Sequence, residues 1–144
     1  MANMNIYEIF EQFKKAKNRT DRINVLRKND CYALRQVLLG TFHPQIKFTV
    51  KEVPDFKKVT MPAGMSYEHM TGALNRVYLF TEGNPRVPAG LTEERKMQIL
   101  TQILESLEEP EANVFVRMLL KDQKIPYLTT AIVNEAFEGL LPQS

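Results

Sequence analysis

The chain has 144 residues, 44% of them hydrophobic and 25% charged, which suits a single domain with an ordinary core. One cysteine, Cys31, excludes an internal disulfide framework, and the N-terminal stretch MANMNIYEIFEQFKK lacks the apolar run of a signal peptide. A net charge of +2 does not announce a polyanion binder, but residues 1–60 carry 12 basic and 6 acidic side chains while residues 61–144 carry 7 and 11. In chain order, Ile6, Ile9, Phe10, Phe13 and Ala16 fall at helical spacing, with Lys14, Lys15 and Lys17 crowding the end where cations complement the helix dipole. A second helix is expected from Thr20 as N-cap, and a third, CYALRQVLLGTF, from Asp30 as cap, with Gly40 and Pro44 bracketing its end.

Residues 45–60 change period. Ile46, Phe48 and Val50 alternate with Gln45, Lys47, Thr49 and Lys51, an extended arm with no evident partner strand. After a loop at 60–65, a helix is expected from Ser66 with Met70, Ala73, Leu74, Val77, Tyr78 and Phe80 on its apolar side. Thr81 to Leu91 is rich in Gly and Pro and reads as a surface connection. Thr92 begins a helix running to Glu109–Pro110, and two more follow at about Glu111–Lys121 and Thr129–Glu138. The expected fold is all-α: one compact domain over residues 1–144, of six or seven helices, with a short extended arm near 45–53. Its core should include Phe10, Phe13, Leu34, Leu38, Tyr78, Leu100, Leu104, Leu119 and Phe137.

Chemistry-bearing patterns are sparse. His43, His69 and Cys31 do not make a metal-ligand cluster, and neither G-x-x-x-x-G-K-[ST] nor G-x-G-x-x-G occurs. Lys28-Asn29-Asp30-Cys31 lacks the glycine of an adenylation motif, and Glu105, Glu108, Glu109 and Glu111 read as a solvated turn between helices. No catalytic residue, metal or cofactor is expected. The basic set is more informative. Lys47 and Lys51 lie on the wet side of the arm; Arg117 and Lys121, four apart, share a helix face that continues through Lys124 to the hydroxyls of Thr129 and Thr130. Such a face suits phosphate oxygens. Equally, Lys121–Asp122 can be a structural pair and Thr129 an ordinary N-cap.

The segment VFVRMLLKDQKIPYLTTAIVNEAFEGLLP resembles the end of the helical DNA-binding domain that precedes the catalytic core in ATP-dependent DNA ligases of tailed phages, at Arg117, Lys121, Asp122, Thr129, Phe137, Gly139, Leu140, Leu141 and Pro142. VLRKNDCYALRQVLL, with Arg35 in the basic position, IKFTVKEVP, at Lys47, Phe48, Lys51 and Pro54, and the Gly83-Asn84 turn extend that similarity. The chain stops where a ligase would begin its catalytic domain. It departs from the family at Ile125-Pro126-Tyr127, which replace a glycine turn, and at Val116, which replaces a second Arg. FHPQIKF, YLFTEG, ILESLEEPEA and EAFEGLLP are also similar to segments of small free-standing proteins of large tailed phages. The resemblance implies a non-enzymatic phage protein in the cytoplasm of an infected host cell. It would grip double-stranded DNA through minor groove and phosphate backbone, without sequence preference, at Arg117, Lys121 and the Thr129–Thr130 turn, with Lys47, Lys51 and Lys124 added from the basic face. The alternative partner is a host or phage protein engaged through exposed apolar residues such as Tyr127, Met61 and Met65 rather than the basic face, and no membrane is expected.

Overall fold

The computed structural model describes residues 5–50, 52–53, 56 and 65–142; the side chains of residues 65–69 lie outside the description. Among the described residues are seven α-helices: α1 Ile6–Lys15, α2 Arg19–Lys28, α3 Tyr32–Phe42, α4 Met65–Asn75, α5 Glu93–Glu105, α6 Glu109–Leu119 and α7 Thr130–Ala136, with a 3-10 turn at Val77–Phe80. They pack as a compact helical bundle in which α1 lies against α2 and α6, α3 against α4 and α6, and α2 against α7.

α1 is amphipathic as its spacing requires. Ile6, Ile9, Phe10 and Phe13 are buried along one stripe, and Lys14 and Lys15 stand at its negative end. α2 begins one residue before Thr20, because the Asn18 side chain takes the capping position and accepts the Asp21 N–H at 2.9 Å. Asp30 does not cap α3 either. Cys31 occupies that position, and the Asp30 carboxylate instead grips Arg35 through Nε at 2.6 Å and Nη2 at 2.8 Å. This pairing holds the Asp30 pKa below the ordinary aspartate value.

Gly40 lies inside α3 rather than ending it, and its role is packing. A Cβ there would stand 2.6 Å from Cγ and Sδ of Met118, which is 1% exposed, so the missing side chain is what lets α3 and α6 approach. The arm does find a partner. Phe48 bridges antiparallel to Thr81, with Thr49 N–H donating to Phe80 O and Glu82 N–H to Lys47 O, both at 2.7 Å. The alternation then decides burial: Phe48 and Val50 face the core, and Lys47 faces solvent. Of the nine expected core residues, all are buried except Tyr78, which is half-buried beneath the Arg86 guanidinium, 4.5 Å from its ring centre.

Candidate nucleic-acid interface

The expected basic face is built differently from its sequence spacing. α6 ends at Leu119, so Arg117 and Lys121 are not on one helical face. Lys121 follows the cap residue at φ 60°. Its N–H donates to Met118 O at 3.0 Å and the Asp122 N–H donates to Arg117 O at 2.9 Å, the paired bonds of a left-handed helix stop with lysine where glycine is usual. The stop turns Lys121 inward. Its Nζ donates to the carbonyls of Gly40 (2.9 Å), His43 (2.9 Å) and Ile46 (2.6 Å), capping the C-terminal end of α3, and burial holds its pKa below the usual lysine value. Lys121 therefore leaves the candidate face.

The other predicted positions divide. Lys51 lies outside the described residues. Lys47 is exposed on the arm, beside Glu82 and Leu120. Lys124 is exposed at φ 57°, with its N–H donating to Asp122 Oδ1 at 2.9 Å. Thr129 is the N-cap of α7, its hydroxyl accepting the Ile132 N–H at 3.3 Å, and Thr130 is half-buried in the first turn. The Thr129 hydroxyl is thus engaged in starting a short helix, not held open for an anion.

Arg117 is half-buried in the last turn of α6, and its guanidinium has no hydrogen-bond or ion-pair partner among the described residues. It lines a cavity of about 230 Å³ together with Lys14 of α1, Tyr7, Phe10, Gln123 and Ile125. Lys14 has one neighbouring carboxylate, Glu11, at 3.4 Å. A second hollow of about 380 Å³ continues under the α6–α7 turn, where Lys124, Gln123 and Ile125 contribute. The corner between the end of α1 and this turn thus presents Lys14, Arg117 and Lys124.

Gln123 and Arg22, which help shape the corner, carry no signal in the sequence pattern, whereas Tyr127 stands out there as a departure from the glycine turn. Gln123 is 3% exposed, and its Nε2 donates to Thr41 Oγ1 and to Val114 O, both at 3.1 Å. The Val114 carbonyl can only accept, so the amide orientation is fixed by its partners. Arg22 of α2 stacks on Tyr127 with its Cζ 3.8 Å from the ring centre, and Tyr127 sits at φ 69°. Left-handed backbone in bulky residues costs about 1–3 kcal/mol at each position.

Glu111 was read as solvated and is fully buried. Its carboxylate accepts the Tyr7 N–H at 2.7 Å and an N–H of Ile6, at the positive end of α1. Burial, reinforced by Glu108 and Glu8, raises its pKa to about 7 despite those bonds. The Tyr7 hydroxyl donates to Glu108 Oε1 at 3.1 Å, and burial is the first cause of its raised pKa. The sequence signal was Pro110 inside the acidic run: proline in the first turn of α6 places Glu111 one residue further in, within reach of α1.

Among the described residues no three His, Cys, Asp or Glu side chains converge as a metal site, and no helix is long and apolar enough to cross a membrane. No curated protein matches the chain. A family of unknown function, DUF6433, matches residues 9–126, a span from α1 through the α6–α7 turn that includes Lys14, Arg117 and Lys124; the chain belongs to that family.

Proposed function

We propose that this protein is a non-enzymatic binder of double-stranded DNA that holds the phosphate backbone without reading sequence. The contact surface is the corner formed by Lys14, Arg117 and Lys124, with Lys47 further along. The observation that carries the reading is Arg117: a half-buried residue whose guanidinium has no carboxylate or carbonyl partner among the described residues, lining one cavity with Lys14 and its neighbour Glu11 from another helix. A guanidinium with no facing anion at the wall of a hollow can take an anionic ligand through charge-assisted hydrogen bonds. The sequence similarity to the DNA-binding domain of phage ligases, and to small phage proteins, supports phosphodiester as that anion and infected-cell cytoplasm as the setting.

Four phosphate contacts give a log–log salt dependence with slope of about −3.6, and a dissociation constant in the micromolar range or weaker at physiological salt. Fluorescence anisotropy with a labelled duplex, titrated at several salt concentrations, measures both. Arg117→Glu combined with Lys124→Glu should reduce low-salt affinity by at least ~30-fold while the helical circular dichroism is unchanged. Lys121 is excluded from this pair because its charge holds α3. Wild-type protein that shows no duplex binding at low salt, or a double variant that binds equally well, removes the DNA reading. A protein partner engaged through the exposed Leu120 and Tyr127 then takes its place.

A further inference from the structure

Tyr127 presents the combination of strain without burial. Its φ of 69° is one that glycine adopts freely and a tyrosine does not. Yet the ring is 63% exposed and its hydroxyl has no partner among the described residues, so neither packing nor hydrogen bonding accounts for keeping it. What fixes the side chain is Arg22, stacked 3.8 Å from the ring centre, a contact that covers one face and leaves the rest of the ring to solvent. Arg22 itself forms no ion pair among the described residues, and neither does Lys124 three positions earlier. The Asp122 carboxylate nearby is turned back onto the Lys124 N–H. An aromatic ring backed on one face by a guanidinium and open on the other, with Lys124 three residues away in the same turn, matches a flat π-system carried on a phosphate chain.

We propose that Tyr127, backed by Arg22, is a stacking platform for an unpaired nucleobase, so that the preferred ligand is duplex DNA with a single-stranded tail or gap. This rests on the backbone-binding reading above and specifies which DNA that surface selects. In a paired duplex the π-faces of the bases are covered by their neighbours, and only an unstacked base can lie on the ring. Arg22 behind the ring and Lys124 in the same turn supply positive charge for the adjoining phosphates, which is why the chemistry favours nucleic acid over an apolar peptide.

The test compares two labelled duplexes that share one sequence: a blunt one, and one with a short single-stranded tail carrying 2-aminopurine at its first unpaired position. Wild-type protein should bind the tailed duplex at least ~5-fold more tightly and quench the 2-aminopurine on binding. Tyr127→Gly removes the ring while relieving the backbone, so it should fold normally, lose the quenching and bind both duplexes alike. Tyr127→Phe should behave as wild type. Equal wild-type affinity for the two duplexes, or a tail preference that survives Tyr127→Gly, overturns the platform and leaves the backbone reading standing. Failure to bind either duplex overturns both. A ring that serves a protein partner instead predicts duplex binding without quenching, and that result also overturns the platform.

Discussion

The two ends of α6 are treated by opposite charges in the same way. At its start Glu111 turns inward and accepts the free N–H groups at the positive end of α1; just past its finish Lys121 turns inward and donates to carbonyls at and just beyond the negative end of α3. Each is a formal charge placed against the complementary pole of a neighbouring helix. They differ in solvent access: Glu111 is fully buried, whereas Lys121 is half-exposed. The ammonium keeps three short charge-assisted bonds, and the carboxylate, deeper and close to two other acids, holds its proton more tightly. Arg27 repeats the device at the surface, donating from Nη2 to Glu135 O at 2.7 Å at the end of α7. A charged residue near a helix end can therefore belong to the next helix's terminus rather than to solvent or ligand.

The comparison can be broken most directly at Lys121. Lys121→Ala takes a donor from three carbonyls, of which only that of His43 keeps another among the described residues, in the Ile46 N–H, and should lower unfolding free energy by about 3 kcal/mol in a urea titration. A loss under about 0.5 kcal/mol would show that water replaces the ammonium there and that the tripod is incidental. Because Lys121 is structural, its removal should weaken DNA binding only through loss of fold.

Glu111 supplies the next effect, and its sign distinguishes the two ends. Its pKa in the folded state, about 7, lies above the ordinary 4.5, so the folded protein binds the proton more strongly than the unfolded chain. The resulting stabilisation is complete below about pH 4.5 and is lost as pH rises toward and through 7. Its full amplitude is about 3–4 kcal/mol, of which about 2–3 kcal/mol falls between pH 5 and 8. Glu111→Gln, permanently neutral yet still able to accept from Tyr7, should flatten stability between pH 5 and 8 by roughly that amount. Identical pH profiles for the two proteins would mean that the carboxylate is not shielded as its burial implies.

Gly40→Ala carries the smallest expected effect. The added methyl must displace the Met118 side chain, and a loss of about 1–2 kcal/mol is expected because methionine can partly adjust in a filled core. A neutral outcome would show that α3 and α6 have slack at their crossing. It would also sharpen the comparison, since the Lys121 tripod spans the same pair of helices.

Much of the fold was legible because apolar spacing is a collective signal. The stripe Ile6, Ile9, Phe10 and Phe13, and the inward Phe48 and Val50 of the arm, stand as the periodicity requires. Single polar residues were less legible. Asn18 displaced Thr20 as a cap, since both are good acceptors and only the local path of the chain chooses between them. Lys121 looked like a neighbour of Arg117 because helical spacing was extended two residues past the helix, and no glycine marked the left-handed stop. Glu111 sat in an acidic run whose other members gave no reason to single it out. The candidate site kept Arg117, Lys124 and Lys47, gained Lys14, Arg22 and Tyr127 from spatial neighbours, and lost Lys121 to the scaffold.

The pairing of α1 and α2 with α6 and α7 also governs when the chain can fold. Tyr7 meets Glu111 across 104 residues, and Arg27 meets Ala136 and Glu135 across 109 and 108. At a synthesis rate of about 5–20 residues per second, the first two helices emerge roughly 5–20 s before the partners that cover them. Through that interval Ile6, Ile9, Phe10, Phe13, Ile23 and Leu26 wait with their apolar sides unmatched by α6 and α7. Closing loops of this length slows folding, so the helices made first are covered last.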